Sequence, residues 1–164
     1  MALPNKILPG FSAALYCQPT ASPTPLTTAQ LALVASVAPI AVSGNLLPVE
    51  AIPAFGQDDA VASFSVAGSR QSDKIPTQSA PTSLTITAAW NPSDANLLLI
   101  RGDSASGVVD RTFVVSATDG TNIIYYAFNG RVSQFQIDSA PGAEAKCTFT
   151  VHPRGNQYGW SNNA

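Results

Sequence analysis

Charged residues are scarce in this sequence. Asp, Glu, Lys and Arg make up 11% of the 164 residues, whereas roughly 25% is typical of soluble proteins. The net charge at pH 7 is −2, and no run of like charges occurs. A basic surface of the kind that holds nucleic acid is therefore not expected. Because few charges keep molecules apart, the composition favours a chain whose surface is largely covered by copies of itself.

Long apolar runs and targeting segments are also missing. The most apolar stretch, 26–42, contains polar residues and a proline and is too short to cross a bilayer. Near the N-terminus Lys6 is the only charged residue, and Pro4 and Pro9 interrupt the segment, which is unlike a secretory signal. We therefore expect a protein that is made and kept in the cytoplasm, without a membrane.

Cysteine and histidine are too few to suggest chemistry. Cys17 and Cys147 form neither a disulfide framework nor a metal-binding spacing, so we expect two buried thiols, with a bridge between the first and last strands as the alternative. The single histidine, His152, is predicted to be exposed or hydrogen-bonded at a strand end. Asp58 and Asp59 are predicted to mark a turn. On a strand, adjacent carboxylates would point to opposite faces and would not easily share a proton, as a catalytic pair does. We expect no enzyme, no metal and no cofactor.

The sequence does contain stretches in which apolar and polar residues alternate, as is typical of β-strands. In the stretch 83–90 every second residue is apolar, which places Leu84, Ile86, Ala88 and Trp90 on one face. The same pattern occurs in 145–152. Asp119-Gly120 separates two β-rich runs and predicts a tight hairpin turn. These patterns indicate an antiparallel sheet.

One helix interrupts the strands. Asn91 is a good N-cap, Pro92 suits the first helical position, and Asp94 complements the positive end of the helix dipole. Arg101 and then Gly102 form a stop signal. The prediction is a short helix over about 92–101, with its apolar residues covering the core. The tripeptide Arg101-Gly102-Asp103 matches an integrin motif, but a three-letter match is expected by chance.

The remaining stretches predict irregular structure. The stretch 31–42 fits either a buried strand or a short helix, and 46–55 carries two prolines that suit an edge or a bulge. The polar stretch 68–81 predicts a long flexible loop, and 155–164 predicts a polar tail. Altogether we expect one domain, 1–164, that is mainly β: an antiparallel β-sandwich or barrel of seven to nine strands flanked by one short α-helix.

Several strand faces are polar but almost free of charge. A solvated sheet face is the simplest interpretation, but such faces usually carry more Lys and Glu. A hydroxyl and amide surface would also suit a face that borders a partner or a channel. The residues concerned are Ser63, Ser65, Thr85, Thr87, Gln134, Gln136, Thr148 and Thr150.

The order of features over about 55–152 resembles the major tail tube proteins of long-tailed, lambda-like siphophages. An Asp58-Asp59 pair precedes a strand, a long polar loop follows, and a strand ends in Trp90-Asn91-Pro92 before the helix that closes in Gly102-Asp103. Next come a strand from near Arg111, an Asp-Gly-Thr turn, an aromatic strand that runs into Gly130-Arg131-Val132-Ser133, and a Thr-rich last strand. The resemblance covers roughly three fifths of the chain as counted from these bounds and leaves out the proline-rich first fifty residues.

The resemblance implies a β-sandwich with a flanking helix that forms six-membered rings, which stack into a hollow tail tube for DNA ejection. The expected partners are other copies of the chain and the tape-measure, tail-tip and terminator proteins. DNA would pass through the lumen without specific binding. The protein would be assembled in the host cytoplasm and reside in the tail of the virion.

The same resemblance suggests roles for individual residues. Loop contacts between rings would come from Arg70, Asp73 and Lys74. The candidate lumen face is Ser63, Ser65, Thr85 and Thr87. The candidate subunit interface is Leu99, Arg101, Arg111 and Arg131.

Other classes of protein stay open at this point. One is the inner tube of a contractile tail, or another ring-forming component of a tail or secretion system such as a tail terminator. Another is an adhesive or carbohydrate-binding β-sandwich, for which Tyr158 and Trp160 are the only aromatic candidates. An enzyme is the least favoured class.

Overall fold

The computed structural model describes residues 12–19, 24–64, 73–118 and 122–163. The described part contains nine strands, three α-helices and one 3₁₀-helix, Ser43–Asn45. The strands are β1 (Ser12–Cys17), β2 (Leu46–Leu47), β3 (Val49–Ala51), β4 (Gln57–Phe64), β5 (Asp73–Pro81), β6 (Leu84–Ala89), β7 (Asp110–Thr118), β8 (Asn122–Asp138) and β9 (Lys146–Asn163). The helices are α1 (Thr28–Leu31), α2 (Val34–Val37) and α3 (Ala95–Ser106).

Seven strands form one antiparallel sheet in the order β2-β1-β7-β8-β9-β6-β3. The two edge strands, β2 and β3, are separated in sequence only by Pro48. The chain over 46–51 therefore pairs with β1 on one side and with β6 on the other, and the sheet is a nearly closed barrel. Pro48 lies at this junction, where the ladder changes partner and a missing N–H costs little. The predicted mainly β fold with seven to nine strands is confirmed.

The two remaining strands, β4 and β5, form a separate antiparallel hairpin. This corrects two expectations. Asp58 and Asp59 belong to β4 and do not mark a turn, and the predicted loop 68–81 contains the nine-residue strand β5. Ser, Thr and Gln are compatible with a polar two-stranded ribbon, and Pro76 and Pro81 are tolerated because each strand has an unpaired edge.

The long strands β8 and β9 pair along almost their whole length. The predicted polar tail 155–164 is therefore wrong for its described part, because β9 continues through Pro153 as far as Asn163. Pro153 lies just beyond Val151, the last residue of β9 that pairs with β6. The β8–β9 register shifts between Ala127 and Asn129, just before Gly130.

Helix α3 starts and ends later than the sequence signals indicate. Its N-cap is Asp94, whose side chain accepts hydrogen bonds from the backbone N–H groups of Asn96 and Leu97. The helix continues through Gly102 and ends at Gly107, which has the left-handed φ of 66° that glycine tolerates best. Asn91 instead stabilises the preceding turn by accepting a hydrogen bond from the N–H of Ser93.

The ambiguous stretch 31–42 contains the end of α1, all of α2 and several turns, and it contains no strand. Thr27 caps α1 through a capping box with Gln30, in which each side chain accepts a bond from the other's backbone N–H. Helix α2 follows almost directly. No described helix is long and apolar enough to cross a membrane.

The core has two parts. The larger one fills the barrel with inward residues of the strands and with Leu97 and Ile100 of α3. The smaller one lies outside the barrel wall, where Leu31, Val37 and Ile40 cover Val114 of β7 and Ala127 of β8. The predicted inward face of β6 is confirmed for Leu84, Ile86 and Ala88, and that of β9 for Cys147, Phe149 and Val151.

Candidate functional site

The outside of the barrel wall is covered on one side and open on the other. The segment 24–42 packs over β1, β7 and the first half of β8. The side chains on the outer face of β6, of the second half of β8 and of the first half of β9 are exposed or half-buried, except that of Thr150, which is buried. We call this surface the open face.

Hydroxyl, amide and imidazole groups cover the open face. Cross-strand partners point to the same side of a sheet, so Thr85 and Thr87 of β6 align with Thr150 and Thr148 of β9. The face consists of Ser83, Thr85, Thr87, Ser133, Gln134, Gln136, Thr148, Thr150 and His152. The hydroxyl oxygens of Thr85 and Thr150 are 3.4 Å apart, and the Thr150 hydroxyl donates to Oε1 of Gln134 at 3.3 Å.

His152 lies between two serines on this face. Its Nδ1 is 2.9 Å from the hydroxyl oxygen of Ser83, and its Nε2 is 2.7 Å from that of Ser133. The histidine is exposed and hydrogen-bonded, as predicted. Both ring nitrogens bind hydroxyl groups, whereas a catalytic base needs a third group, usually a carboxylate, to orient the ring. The arrangement therefore suits a polar surface better than a hydrolase site.

Charged groups lie at the two ends of the open face and are paired with each other. At one end Asp110 accepts hydrogen bonds from Nε of Arg131 at 2.8 Å and from Arg154 at 3.0 Å. At the other end Lys146 pairs with Glu50, and this hydrogen bond raises the pKa of Lys146. The middle of the face is therefore neutral, and the cations at its ends are engaged with carboxylates of the same subunit.

The predicted lumen residues do not lie on one surface. Thr85 and Thr87 belong to the open face, but Ser63 is an exposed residue of the β4–β5 hairpin. Ser65 lies outside the described residues. Residues that were not predicted to line the lumen, chiefly Ser133, complete the face because of the β8–β9 register. In the sequence, only the alternation of apolar and polar residues in the last strand indicated the orientation of this face.

The predicted loop contacts belong to the far end of the hairpin. Asp73 and Lys74 are the first residues of β5 and pair with Phe64 and Ser63 at the end of the hairpin that lies away from the barrel. Arg70 lies outside the described residues. Their contact with a neighbouring ring stays a prediction.

The predicted interface residues fall into three different environments. Arg101 is exposed on α3 and Leu99 is half-buried beside it. Arg131 is half-buried in the ion pair with Asp110. Arg111 was predicted wrongly, because its side chain is only 1% exposed and makes a two-pronged ion pair with Asp103 inside the subunit. Asp103 is buried as well, so the integrin-like tripeptide cannot present its carboxylate.

No metal or redox site emerges from the described side chains. They contain no group of three or more potential metal ligands. Cys17 and Cys147 are both buried and unbridged, so the alternative of a disulfide is wrong. Burial raises the pKa of the Cys17 thiol to about 12. Such a thiol is almost fully protonated at neutral pH and is a poor nucleophile.

One further surface was not anticipated from the sequence. Strand β6 pairs with β9 only through residues 146–151, whereas β9 continues to Asn163 and pairs on its other side with β8. Among the described strands, none pairs with the outer edge of β9 over 154–163. An edge that no strand pairs with presents backbone N–H and C=O groups to which another strand can bind. We call this the open edge.

The nearly closed barrel with its flanking helix is similar in fold to two solved structures, one of a baseplate and one of a tail tube. The chain is similar to a chain of the six-fold symmetrised cryo-EM structure of the anti-feeding prophage (AFP) baseplate, with a TM-score of 0.62 and 11% identity over 98% of this chain and 97% of that one. It is also similar to the SPP1 tail tube determined by solid-state NMR and cryo-EM, with a TM-score of 0.54 and 11% identity over 93% of this chain and 77% of that one. No protein-family model and no curated protein matches the sequence. The expected tail-tube fold is thus confirmed. At 11% identity, these similarities show the fold alone.

Proposed function

We propose that this chain is a structural subunit of a viral tail tube. Copies close into six-membered rings, the rings stack, and the resulting hollow tube conducts DNA into the host during ejection. The observation that carries the proposal is the fold shared with a tail tube and a tail baseplate, together with a broad, neutral and uncovered barrel face. The protein would act in the virion, without catalysis and without a cofactor.

The open edge supplies a means of ring closure. An unpaired strand edge of this length invites pairing with another chain. If the edge of one copy meets a different surface of the next copy, the contact is heterologous, and it closes into a ring when the rotation per subunit divides a full turn. Ring closure would then leave no edge open to uncontrolled aggregation.

The open face suits the wall of a DNA channel. DNA is a polyanion, and each lysine or arginine that neutralises a phosphate adds to its affinity. Of the five basic side chains that the structure describes, Arg111, Arg131, Lys146 and Arg154 are engaged in ion pairs within the subunit. A hydroxyl and amide surface with its cations neutralised would let DNA slide without holding it.

The β4–β5 hairpin suits contacts between rings. An isolated two-stranded hairpin is marginally stable in water, and this one does not pair with the barrel sheet. Packing against a neighbouring ring would stabilise it, and it would also couple ring stacking to ring formation. Tape-measure, tail-tip and terminator proteins would be the partners at the inside and the two ends of such a tube.

Electron microscopy of the purified full-length chain tests this function. We expect stacked rings with six-fold symmetry and a central hole. The same images also show which surface lines the central hole, and we expect it to be the open face. A chain that remains monomeric at high concentration, or particles of another symmetry, would contradict the proposal.

A second candidate function is a ring within a tail baseplate. It is favoured by the higher TM-score and more complete coverage of the AFP baseplate chain compared with the SPP1 tail tube. A baseplate subunit should form single rings or short stacks of defined length when purified alone. Tubes of unlimited length would favour the tail tube.

A further inference from the structure

One end of the open face carries more positive than negative charge. Asp110 accepts hydrogen bonds from Nε of Arg131 at 2.8 Å and from Nη1 of Arg154 at 3.0 Å. Two guanidinium groups therefore share one carboxylate, and no other described acidic side chain contacts either of them. At the opposite end Lys146 pairs one to one with Glu50. Among the described groups, one positive charge thus remains uncompensated at the Asp110 end of each subunit.

Arg154 is the more accessible of the two arginines. Its side chain is 55% exposed, whereas that of Arg131 is 33% exposed. Within the described part of the chain, Arg154 makes its hydrogen bonds only through Nη1, which leaves Nε and Nη2 able to donate to a ligand. A guanidinium presents its N–H groups in a fork that matches the oxygens of a phosphate or a carboxylate. Arg154 is therefore able to bind an anion while it remains in contact with Asp110.

Arg154 lines a depression where the segment 24–42 meets the end of the open face. The depression has a volume of about 470 Å³, and Thr28, Asp110 and Asn129 also line it. Asn129 is held in place because its Nδ2 donates to the carbonyl oxygen of Leu26 at 2.7 Å and its Oδ1 accepts from the hydroxyl of Thr112 at 2.8 Å. These bonds join the segment 24–42 to the barrel wall and fix the shape of the depression.

The composition of the depression favours a phosphate over a protein partner. A protein–protein contact usually has an apolar centre with a polar rim. Here the apolar lining consists of Pro25 and Leu26, which are half-buried. None of the exposed large apolar side chains that the structure describes lines the depression. Arginine, threonine and asparagine side chains are typical donors to the phosphates of nucleic acids.

We propose that this depression is a contact site for a phosphate of the DNA backbone, with Arg154 as the donor and Asp110 as the group that limits its affinity. The inference rests on the proposed function, which places the open face along a DNA channel. Six copies would carry six such contacts at one level of the channel, while the middle of the face stays neutral. A single phosphate contact per subunit is weak and sensitive to salt, so it would guide the duplex without arresting it.

Two substitutions with opposite effects on DNA affinity test the site. The full-length chain, below the concentration at which tubes form, is titrated into a short fluorescein-labelled DNA duplex, and fluorescence anisotropy is measured. Arg154→Gln should lower the affinity by about three-fold or more at about 50 mM salt and should reduce the salt slope by about one. Asp110→Asn should raise the affinity by about three-fold or more, because both guanidinium groups lose the carboxylate that competes with phosphate. Circular dichroism verifies that each variant is folded.

Two matched variants control for net charge. Arg101→Gln removes a positive charge from an exposed arginine of α3, and Glu144→Gln removes a negative charge from the exposed turn before β9. Both should leave the DNA affinity near that of the wild type. Equal effects of Arg101→Gln and Arg154→Gln would overturn the inference, because net charge alone would then explain the binding. A wild-type chain that does not bind the duplex, an unchanged affinity in folded Arg154→Gln, or no gain in Asp110→Asn would also overturn it.

The failure of this inference and the failure of the proposed function look different. A wild-type chain that forms neither rings nor tubes in electron micrographs refutes the proposed function, whatever the anisotropy shows. A wild-type chain that forms tubes, with Arg154→Gln binding the duplex as well as the wild type does, refutes only the phosphate contact. If Arg154→Gln prevents assembly and leaves the DNA affinity unchanged, the arginine binds a carboxylate of a second copy, and the inference is overturned.

Discussion

The buried ion pair between Arg111 and Asp103 joins the helix to the barrel. Nε and Nη2 of Arg111 both donate to the Asp103 carboxylate, and Nη1 donates to the carbonyl oxygen of Gln18 at 2.9 Å. One side chain of β7 thereby ties α3 and the end of β1 together. A buried arginine needs such a complete set of acceptors, because removing a charge from water is costly.

Asp103→Ala should be strongly destabilising. The change leaves the Arg111 charge buried without its carboxylate, and we expect the free energy of unfolding to fall by about 3–5 kcal/mol. Urea denaturation followed by circular dichroism measures it. Asp110→Ala is the matched control: its partners Arg131 and Arg154 are partly exposed, so its loss should cost about 1 kcal/mol or less. Equal losses in the two variants would show that Arg111 reaches water in the folded state.

Two glycines should respond to alanine with opposite signs. A Cβ at Gly130 would lie 2.7 Å from Cγ1 of Val151 and 3.4 Å from the carbonyl oxygen of His152. We expect Gly130→Ala to lower the free energy of unfolding by about 1–3 kcal/mol through overpacking. Gly102 lies inside α3 with nothing within 4 Å of such an atom, so Gly102→Ala should raise it by up to about 1 kcal/mol. Thermal unfolding of both variants provides the comparison.

At the scale of the element, α3 has two candidate N-caps in the sequence, and the structure uses the later one. Asn91-Pro92 is a valid start signal, and Asp94 is an equally valid cap three residues later. The later start lets Asn96 donate from its side chain to the carbonyl oxygens of Gly44 and Leu46, at 2.9 Å and 3.2 Å. These contacts connect the first turn of α3 to the strand segment that closes the barrel, and local propensity contains no information about them.

Substitution of the two candidate caps distinguishes them. Asp94→Ala removes the acceptor for two backbone N–H groups of α3, and we expect a loss of about 0.5–2 kcal/mol in the free energy of unfolding. Asn91→Ala removes only a hydrogen bond in the preceding turn and should cost less. A larger loss for Asn91→Ala in urea denaturation would contradict the assignment of Asp94 as the N-cap.

At the scale of the whole molecule, the barrel and the hairpin are separate units of structure. The barrel sheet contains all described strands except β4 and β5, and none of the hairpin side chains that the structure describes belongs to the core clusters. The hairpin should therefore contribute to assembly more than to the stability of the subunit.

Shortening the hairpin tests this separation. Residues 60–78 would be replaced by Asn-Gly, which joins Asp59 to its cross-strand partner Ser79 through a tight turn. We expect the thermal midpoint to shift by less than about 4 °C, which corresponds to about 1 kcal/mol for a chain of this length. Stacked tubes should be absent in electron micrographs. Tubes of normal length from the shortened chain would exclude a role of the hairpin in stacking.

The local patterns of the sequence determined most of the barrel strands. Alternation identified the inward faces of β6 and β9, and the two β-rich runs around Asp119-Gly120 identified the β7–β8 pair. Period-two alternation is reliable there because one face of each strand packs in the core while the other stays polar. The hydroxyl side chains of the open face were visible for the same reason. The hairpin β4–β5 was missed in part because its polar residues, such as those around Gln78, show no alternation of apolar and polar residues in the sequence.

Tertiary structure alone decided how these elements come together. The barrel closes because 46–51 pairs with two strands that are distant in sequence, and the helix starts at Asp94 because Asn96 finds acceptors some fifty residues away along the chain. Arg111, whose charge suggested an interface, is buried because Asp103 lies on the helix that packs beside it. Local sequence records propensity and periodicity, whereas closure, burial of a charge and exposure of an edge depend on contacts between distant parts of the chain, which no local pattern contains.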